Sequence, residues 1–224
     1  MNTTTQTPNI VAFREFLRAR FPDAHAPQMA EEQPLRSGVS CVESLNLSKG
    51  AITEVVAASA SAGAGLLMSG LLQRESACRE LTAMVDGSDA FDPWSIDASA
   101  LERVLWVRCR HPNEAIRASD LLLRDGNIPL VILDLQLHAP RAVQSLPSSV
   151  WHRLRMLAEK SGAALCVFTS VCAVACARTR VRLEHRFDLM DQFEDRAPLL
   201  NALHVQVERQ RSRIALPVAA KAIA

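Results

Sequence analysis

The run PLVILD at residues 129–134 constrains the fold more than any other stretch. Residues 130–133 are all apolar, without the alternation of a strand that has one wet face. A strand buried on both sides belongs in a parallel sheet covered by helices on each face. The chain beyond residue 50 supplies the rest of that sheet. Residues 51–57 (AITEVVA), 81–86 (LTAMVD), a stretch within 101–108 (VLWVR) and 164–169 (ALCVFT) also read as strands. Residues 63–74 read as a small-residue helix with Leu66, Leu67, Leu71 and Leu72 inward. A second helix covers 113–124, with Pro112 before it and Glu114 in its first turn, where an acid suits the helix dipole. A third covers 147–160 and is bounded by Gly162. Three later stretches, 180–184 (RVRLE), 204–208 (HVQVE) and 212–216 (SRIAL), alternate and sit close together. They read as antiparallel strands extending one edge. The expected class is α/β: a mainly parallel sheet, helices on both faces and an antiparallel C-terminal edge.

The N-terminal part differs. Asn9 can cap a helix over residues 10–20, with Ile10, Phe13, Phe16 and Leu17 on one face and Arg14, Arg18 and Arg20 off it. Pro22, Pro27 and Pro34 with Glu31 and Glu32 give residues 22–37 a linker composition. The expected organisation is an arm and linker (1–37), one α/β domain (38–217) and a tail (218–224). The arm helix either packs on its own domain or docks on a partner.

Composition excludes several functions. Lys and Arg number 25 against 24 Asp and Glu, so no chain-wide basic field attracts nucleic acid. Aromatics are 4% with no Tyr, which disfavours stacking platforms for single-stranded bases. The six cysteines (41, 78, 109, 166, 172 and 176) make no CxxC, and the start MNTTTQTPN is not a signal peptide. The expectation is reduced, buried thiols in a cytoplasmic protein. Residues 55–73 carry no charge, but Ala, Ser and Gly dominate them, so they are not read as a membrane span.

Chemistry centres on two places. Residues 57–65 (AASASAGAG) follow the first strand, where a P-loop enzyme keeps its phosphate cradle. Ser59, Ser61 and Gly63 supply the small residues, but there is no Lys and no Ser or Thr in register; the next Lys after Lys49 is Lys160. Backbone N–H groups there hold an anion only weakly. Asp134 ends the fourth strand, where a nucleotide enzyme holds Mg²⁺, although Asp is also common there as a helix cap. Other chemistries fail: the six His form no HExxH and there is no G-x-S-x-G, so no metal ligand or nucleophile is assigned. Cys172 and Cys176 would share a helix face as packing residues. Trp94, Trp106 and Trp151 are assigned to core or interface. Arg209, Arg211 and Arg213, with Lys221 behind them, flank a reversal that is either a solvated hairpin end or an anion-binding edge.

These stretches together resemble the RecA recombinases. KGAITEVVA is similar to the family's run into its P-loop, and MVDGSDAFDP (84–93) to its second-strand signature. PLVILD is similar to its Walker B strand and VERQRSRIALP (207–217) to its C-terminal hairpin. The resemblance covers roughly residues 38–217 and implies a RecA-like P-loop core. Its length and erosion are those of the short damage-inducible ImuA type and their relative SulA. The departures imply lost activity: no P-loop Lys, no Mg²⁺-binding hydroxyl, and Ser88 where the family has its catalytic Glu. The two segments matching DNA-binding loops, 135–146 and 170–179, are short, which makes direct DNA binding doubtful. The resemblance leaves an assembly surface, with the arm residues Phe13, Phe16 and Leu17 and the hairpin pair Arg211 and Arg213 at places where RecA protomers meet. It implies a catalytically inactive accessory protein of the bacterial DNA-damage response and translesion synthesis. Its partners would be a RecA recombinase or a lesion-bypass polymerase complex, with no cofactor beyond weakly held ATP and Mg²⁺. The alternatives are a SulA-like division inhibitor, a genuine ATP- and DNA-binding recombinase, and a purely structural domain.

Overall fold

The computed structural model describes residues 34–35, 47–73 and 80–211, all within the compact unit Gln33–Ala224. The arm, with Phe13, Phe16 and Leu17, and the hairpin residue Arg213 lie outside the described residues. The domain boundaries read from the sequence lie there too.

Seven strands form one sheet: β1 (Ile52–Ala57), β2 (Thr82–Asp86), β3 (Val104–Arg108), β4 (Leu130–Asp134), β5 (Ala164–Thr169), β6 (Thr179–Leu183) and β7 (Val205–Gln210). Their order across the sheet is β3-β2-β4-β5-β1-β6-β7. Every pairing is parallel except β6 with β7. Pro34–Leu35 and Leu47–Ser48 add a separate two-residue antiparallel ladder. Strands β1, β2, β4 and β5 are buried at every position, as the uninterrupted apolar runs require. β7 lies at the edge and is mostly exposed.

The helices are α1 (Ala64–Leu72), α2 (Ala98–Leu101), α3 (Pro112–Asp125), α4 (Pro140–Gln144), α5 (Ser148–Ser161) and α6 (Arg196–Ala202). Pro112 opens α3 with Glu114 in its first turn, and Gly126 and Gly162 close α3 and α5. Two cores result. On one face, α1 and the β2–β3 connection bury Leu67, Leu71 and Ile96 against Met84, Ile132 and Phe168. On the other, α3, α4, α5 and the β5–β6 connection bury Leu123, Val143, Trp151, Leu154 and Val174 against Val85, Leu133 and Val167. Connections running one way along the strand order (β1 to β2, β2 to β3) use the first face. Those running the other way (β3 to β4, β4 to β5, β5 to β6) use the second. A single crossover hand demands this division.

One sequence expectation is extended and another is corrected. Residues 180–184 pair antiparallel with 204–208, as expected, and β6 also runs parallel to β1, with Glu54 opposite Arg180 and Ala57 opposite Leu183. The apolar stretch after β5 crosses beneath the sheet, burying Val174, Cys176 and Ala177, and so delivers β6 as another parallel strand. The antiparallel edge is therefore β6 with β7, and residues 212–216 lie outside the described residues. Cys172 and Cys176 do not share a helix face, because residues 170–178 are not helical. Cys109, Cys166 and Cys176 are buried free thiols as expected, whereas Cys172 is exposed. Trp151 is buried and Trp94 is 93% exposed. No helix among the described residues is long and apolar enough to cross a membrane.

Candidate functional site

An open α/β sheet binds ligands at the carboxyl ends of its strands, where neighbouring strands send their connections to opposite faces. β2 and β4 are such neighbours here. Their last residues, Asp86 and Asp134, stand opposite one another in register. By alternation both side chains lie on the α1 face, with Met84 and Ile132 beneath them.

The two carboxylates differ. Asp86 is fully buried and saturated by donors. Ser88 N–H (3.3 Å) and Ala90 N–H (3.1 Å) donate to Oδ1, while Phe91 N–H (2.8 Å) and Trp106 Nε1–H (3.3 Å) donate to Oδ2. Asp86 thus holds the turn after β2 in shape. In that turn Asp89 adopts φ +53° and takes a bidentate ion pair from Arg108, at 2.5 and 3.0 Å. The Arg108 guanidinium holds the Asp89 carboxyl below its ordinary value and also lies 5.0 Å over the Trp106 ring. Asp134 Oδ1 accepts a bond from Gln136 N–H (2.9 Å). Burial, with the Asp86 charge beside it, raises its pKa to about 6 against that hydrogen bond.

Gly87 makes this crevice tight. Its N–H donates to the Asp134 carbonyl (3.0 Å), and His138 Nε2–H donates to the Gly87 carbonyl (2.8 Å). A β-carbon at Gly87 would lie 2.4 Å from that Asp134 carbonyl oxygen, so only glycine fits. At the end of β5, Thr169 Oγ1 and Ser170 Oγ are buried without a hydrogen-bond partner. They are the orphan polar atoms of this end of the sheet.

The turn after β1, which the resemblance aligns with a phosphate cradle, has a different cover. Ser59 and Ser61 are exposed, with their hydroxyls 3.4 Å apart. Gly63 is buried at φ +88° and precedes α1. A β-carbon there would meet Leu203 Cδ2 at 2.4 Å and Phe187 Cε2 at 2.7 Å. Phe187 N–H also donates to the Ser61 carbonyl (3.0 Å). The segment between β6 and β7 therefore lays apolar side chains over the start of α1. β5 lies between β1 and β4, which puts Asp134 two strands, roughly 10 Å, from this turn.

On the opposite face Glu54 is fully buried in β1. Oε1 accepts N–H bonds from Ala173 (2.7 Å) and Val174 (2.9 Å), and Oε2 pairs with Arg180 at 2.6 Å. Arg209 Nη2 donates to the Val174 and Ala177 carbonyls. Burial, with Arg180 and Arg211 nearby, lowers its pKa. These groups clamp residues 173–177. Arg209 is thus a structural residue, whereas Arg211 is exposed and joins the Arg178 carbonyl through its own N–H (2.9 Å).

Of the residues singled out from sequence, Ser59, Ser61 and Gly63 share one turn, Asp134 stands apart, and Arg211 lies on the β7 side. Sequence reasoning missed Asp86, Glu54, His138, Phe187 and Leu203. A charged residue inside the apolar runs TAMVD and ITEVVA was the available signal for the first two. Among the described residues, no group of three or more His, Cys, Asp or Glu is placed to hold a metal ion. Compared with known proteins, the chain matches no protein-family model and no curated protein sequence.

Proposed function

We propose that this chain is a RecA-like accessory protein that does not turn over nucleotide. It acts through protein contacts in the bacterial DNA-damage response, in translesion synthesis of the ImuA kind. One observation carries the reading: Phe187 and Leu203 pack against Gly63 at the start of α1, the end of the helix on which a phosphate would be held. Apolar atoms there offer triphosphate no compensation for its lost hydration. Two further features support it. Asp86, beside Asp134, has both oxygens committed to N–H donors, so the pair lacks a free second carboxylate for Mg²⁺. Ser88 donates its N–H to Asp86 and offers no general base. The strand order, the parallel β1–β6 body and the antiparallel β7 edge are compatible with a RecA-like core.

The test is a titration and a capture. Mg·ATP should give no saturable heat below about 1 mM, which corresponds to under roughly 4 kcal/mol of binding. The immobilised chain should retain a purified recombinase filament or a lesion-bypass polymerase, and not a tubulin-like division protein. Micromolar ATP binding with turnover lost in Asp134→Ala would favour a genuine recombinase. Retention of the division protein alone would favour a SulA-like inhibitor.

A further inference from the structure

Two surfaces on opposite faces of the sheet have complementary chemistry. The first is a groove between α3 and α5, enclosing about 410 Å³. Ile116, Leu121, Val150 and Leu154 supply its apolar part, and Leu121 is 64% exposed. Arg117, Arg124 and Arg153 rim it. Asp120 is the acid in the groove lining, and it is shared by Arg124 (2.8 Å) and Arg153. The rim therefore keeps a positive excess, with Arg117 contributing to it.

The second surface is the turn before α6. Leu189, Met190 and Phe193 are 76%, 69% and 77% exposed. The turn holds its own shape. Met190 N–H and Asp191 N–H donate to Asp188 Oδ1, and Asp188 N–H donates to Asp191 Oδ2. Glu194 and Asp195 follow, so four acids accompany three displayed apolar side chains within eight residues. A fixed turn that shows a phenyl ring and two long aliphatic chains to water is a preorganised knob.

We infer that the acidic turn at residues 188–195 of one copy seats in the Arg-rimmed α3–α5 groove of a second copy. The sign of charge selects this occupant. Two other apolar-bearing segments outside the described residues, 10–20 and 212–224, are net positive, with Arg14, Arg18 and Arg20 against Glu15 in the first and Arg213 and Lys221 in the second. Their cations face the same sign on the rim. A copy cannot fill its own groove. Phe187 and Leu203, which bracket the turn, pack on the α1 face, whereas the groove opens on the α3–α5 face. The contact joins two different patches, so it is head-to-tail and adds copies in a ring or an open row.

Sedimentation velocity on the full chain tests this. The weight-average coefficient should rise between ~5 and ~200 µM and fall back in about 0.5 M NaCl. Phe193→Ser spoils the knob and Arg117→Glu the groove rim, and each should weaken association about tenfold or more. An equimolar mixture of the two variants should form dimers and nothing larger, since each retains one intact half. A wild-type chain that stays monomeric, variants that associate like wild type, or a mixture without dimers would each overturn the proposal. So would association lost in Phe13→Ser/Phe16→Ser but kept in Phe193→Ser, which would make the N-terminal arm the occupant.

Discussion

Replacing Asp134 with Asn isolates the cost of keeping a carboxylate where β4 ends. Asp134 is 8% exposed and has Asp86 opposite it in register. Its pKa moves from the ordinary 3.8 up to about 6. That displacement corresponds to about 3 kcal/mol of destabilisation once the group is ionised. The sign is the reverse of a salt-bridged Asp. Below pH ~4 the group is protonated whether folded or unfolded, and it costs nothing. Between pH ~4 and ~6 the unfolded chain ionises first, so stability falls as pH rises, and the full cost is present above pH ~6. Asn removes the charge and keeps the Oδ1 acceptor for Gln136 N–H. The expected gain for Asp134→Asn is about 2 kcal/mol at pH 7.5, or roughly 4–8 °C in Tm, and nothing at pH 4. Urea denaturation of both proteins across that range measures it. A variant less stable than wild type at pH 7.5, or an equal difference at both pH values, would refute the reasoning. So would Mg²⁺ stabilising wild type and not the variant, because the carboxylate would then have a counter-ion.

Three more outcomes are expected. Glu54→Gln should cost about 3 kcal/mol in urea denaturation, because it strands Arg180 beneath the sheet. The half-exposed Arg182–Glu208 pair gives the contrast, with Glu208→Gln costing under about 1 kcal/mol. Gly63→Ala should lose about 2–3 kcal/mol from its positive φ and from the clash with Leu203. In a Leu203→Ala background only the Leu203 share of the cost should be relieved, the positive φ and the Phe187 contact remaining, and a double-mutant thermal cycle reads the difference. Peptide mapping after brief treatment with a thiol reagent should find Cys172 modified and Cys109, Cys166 and Cys176 spared until denaturant is added. Burial pushes the Cys166 thiol up to about 12, which removes its thiolate at neutral pH.

The α/β class was legible because its causes are local. LVILD lacks alternation, Pro112 and Glu114 open α3, Gly162 ends α5, and each signal acts within a few residues of itself. Asp134 was legible as a candidate for the same reason, since an acid ending an apolar strand is visible in one chain segment. Its raised pKa was not, because that depends first on burial by distant segments and then on Asp86, which sits across the β2–β4 register. The parallel pairing of β6 with β1 was not legible, because alternation reports which faces are wet and not which way the neighbouring strand runs. Only the crossover carrying Val174 and Ala177 beneath the sheet decides that.

By itself, then, the sequence determined the elements, the sheet buried on both faces, and the absence of a Lys from the turn after β1. The tertiary structure decided what packs against that turn, with Phe187 and Leu203 arriving from far along the chain to lie against Gly63. It also decided that Glu54 has a partner, which lies 126 residues away. A buried charge or a covered glycine is a statement about which distant groups share a small volume. Composition and periodicity hold no information about that until strand order and register bring the groups together.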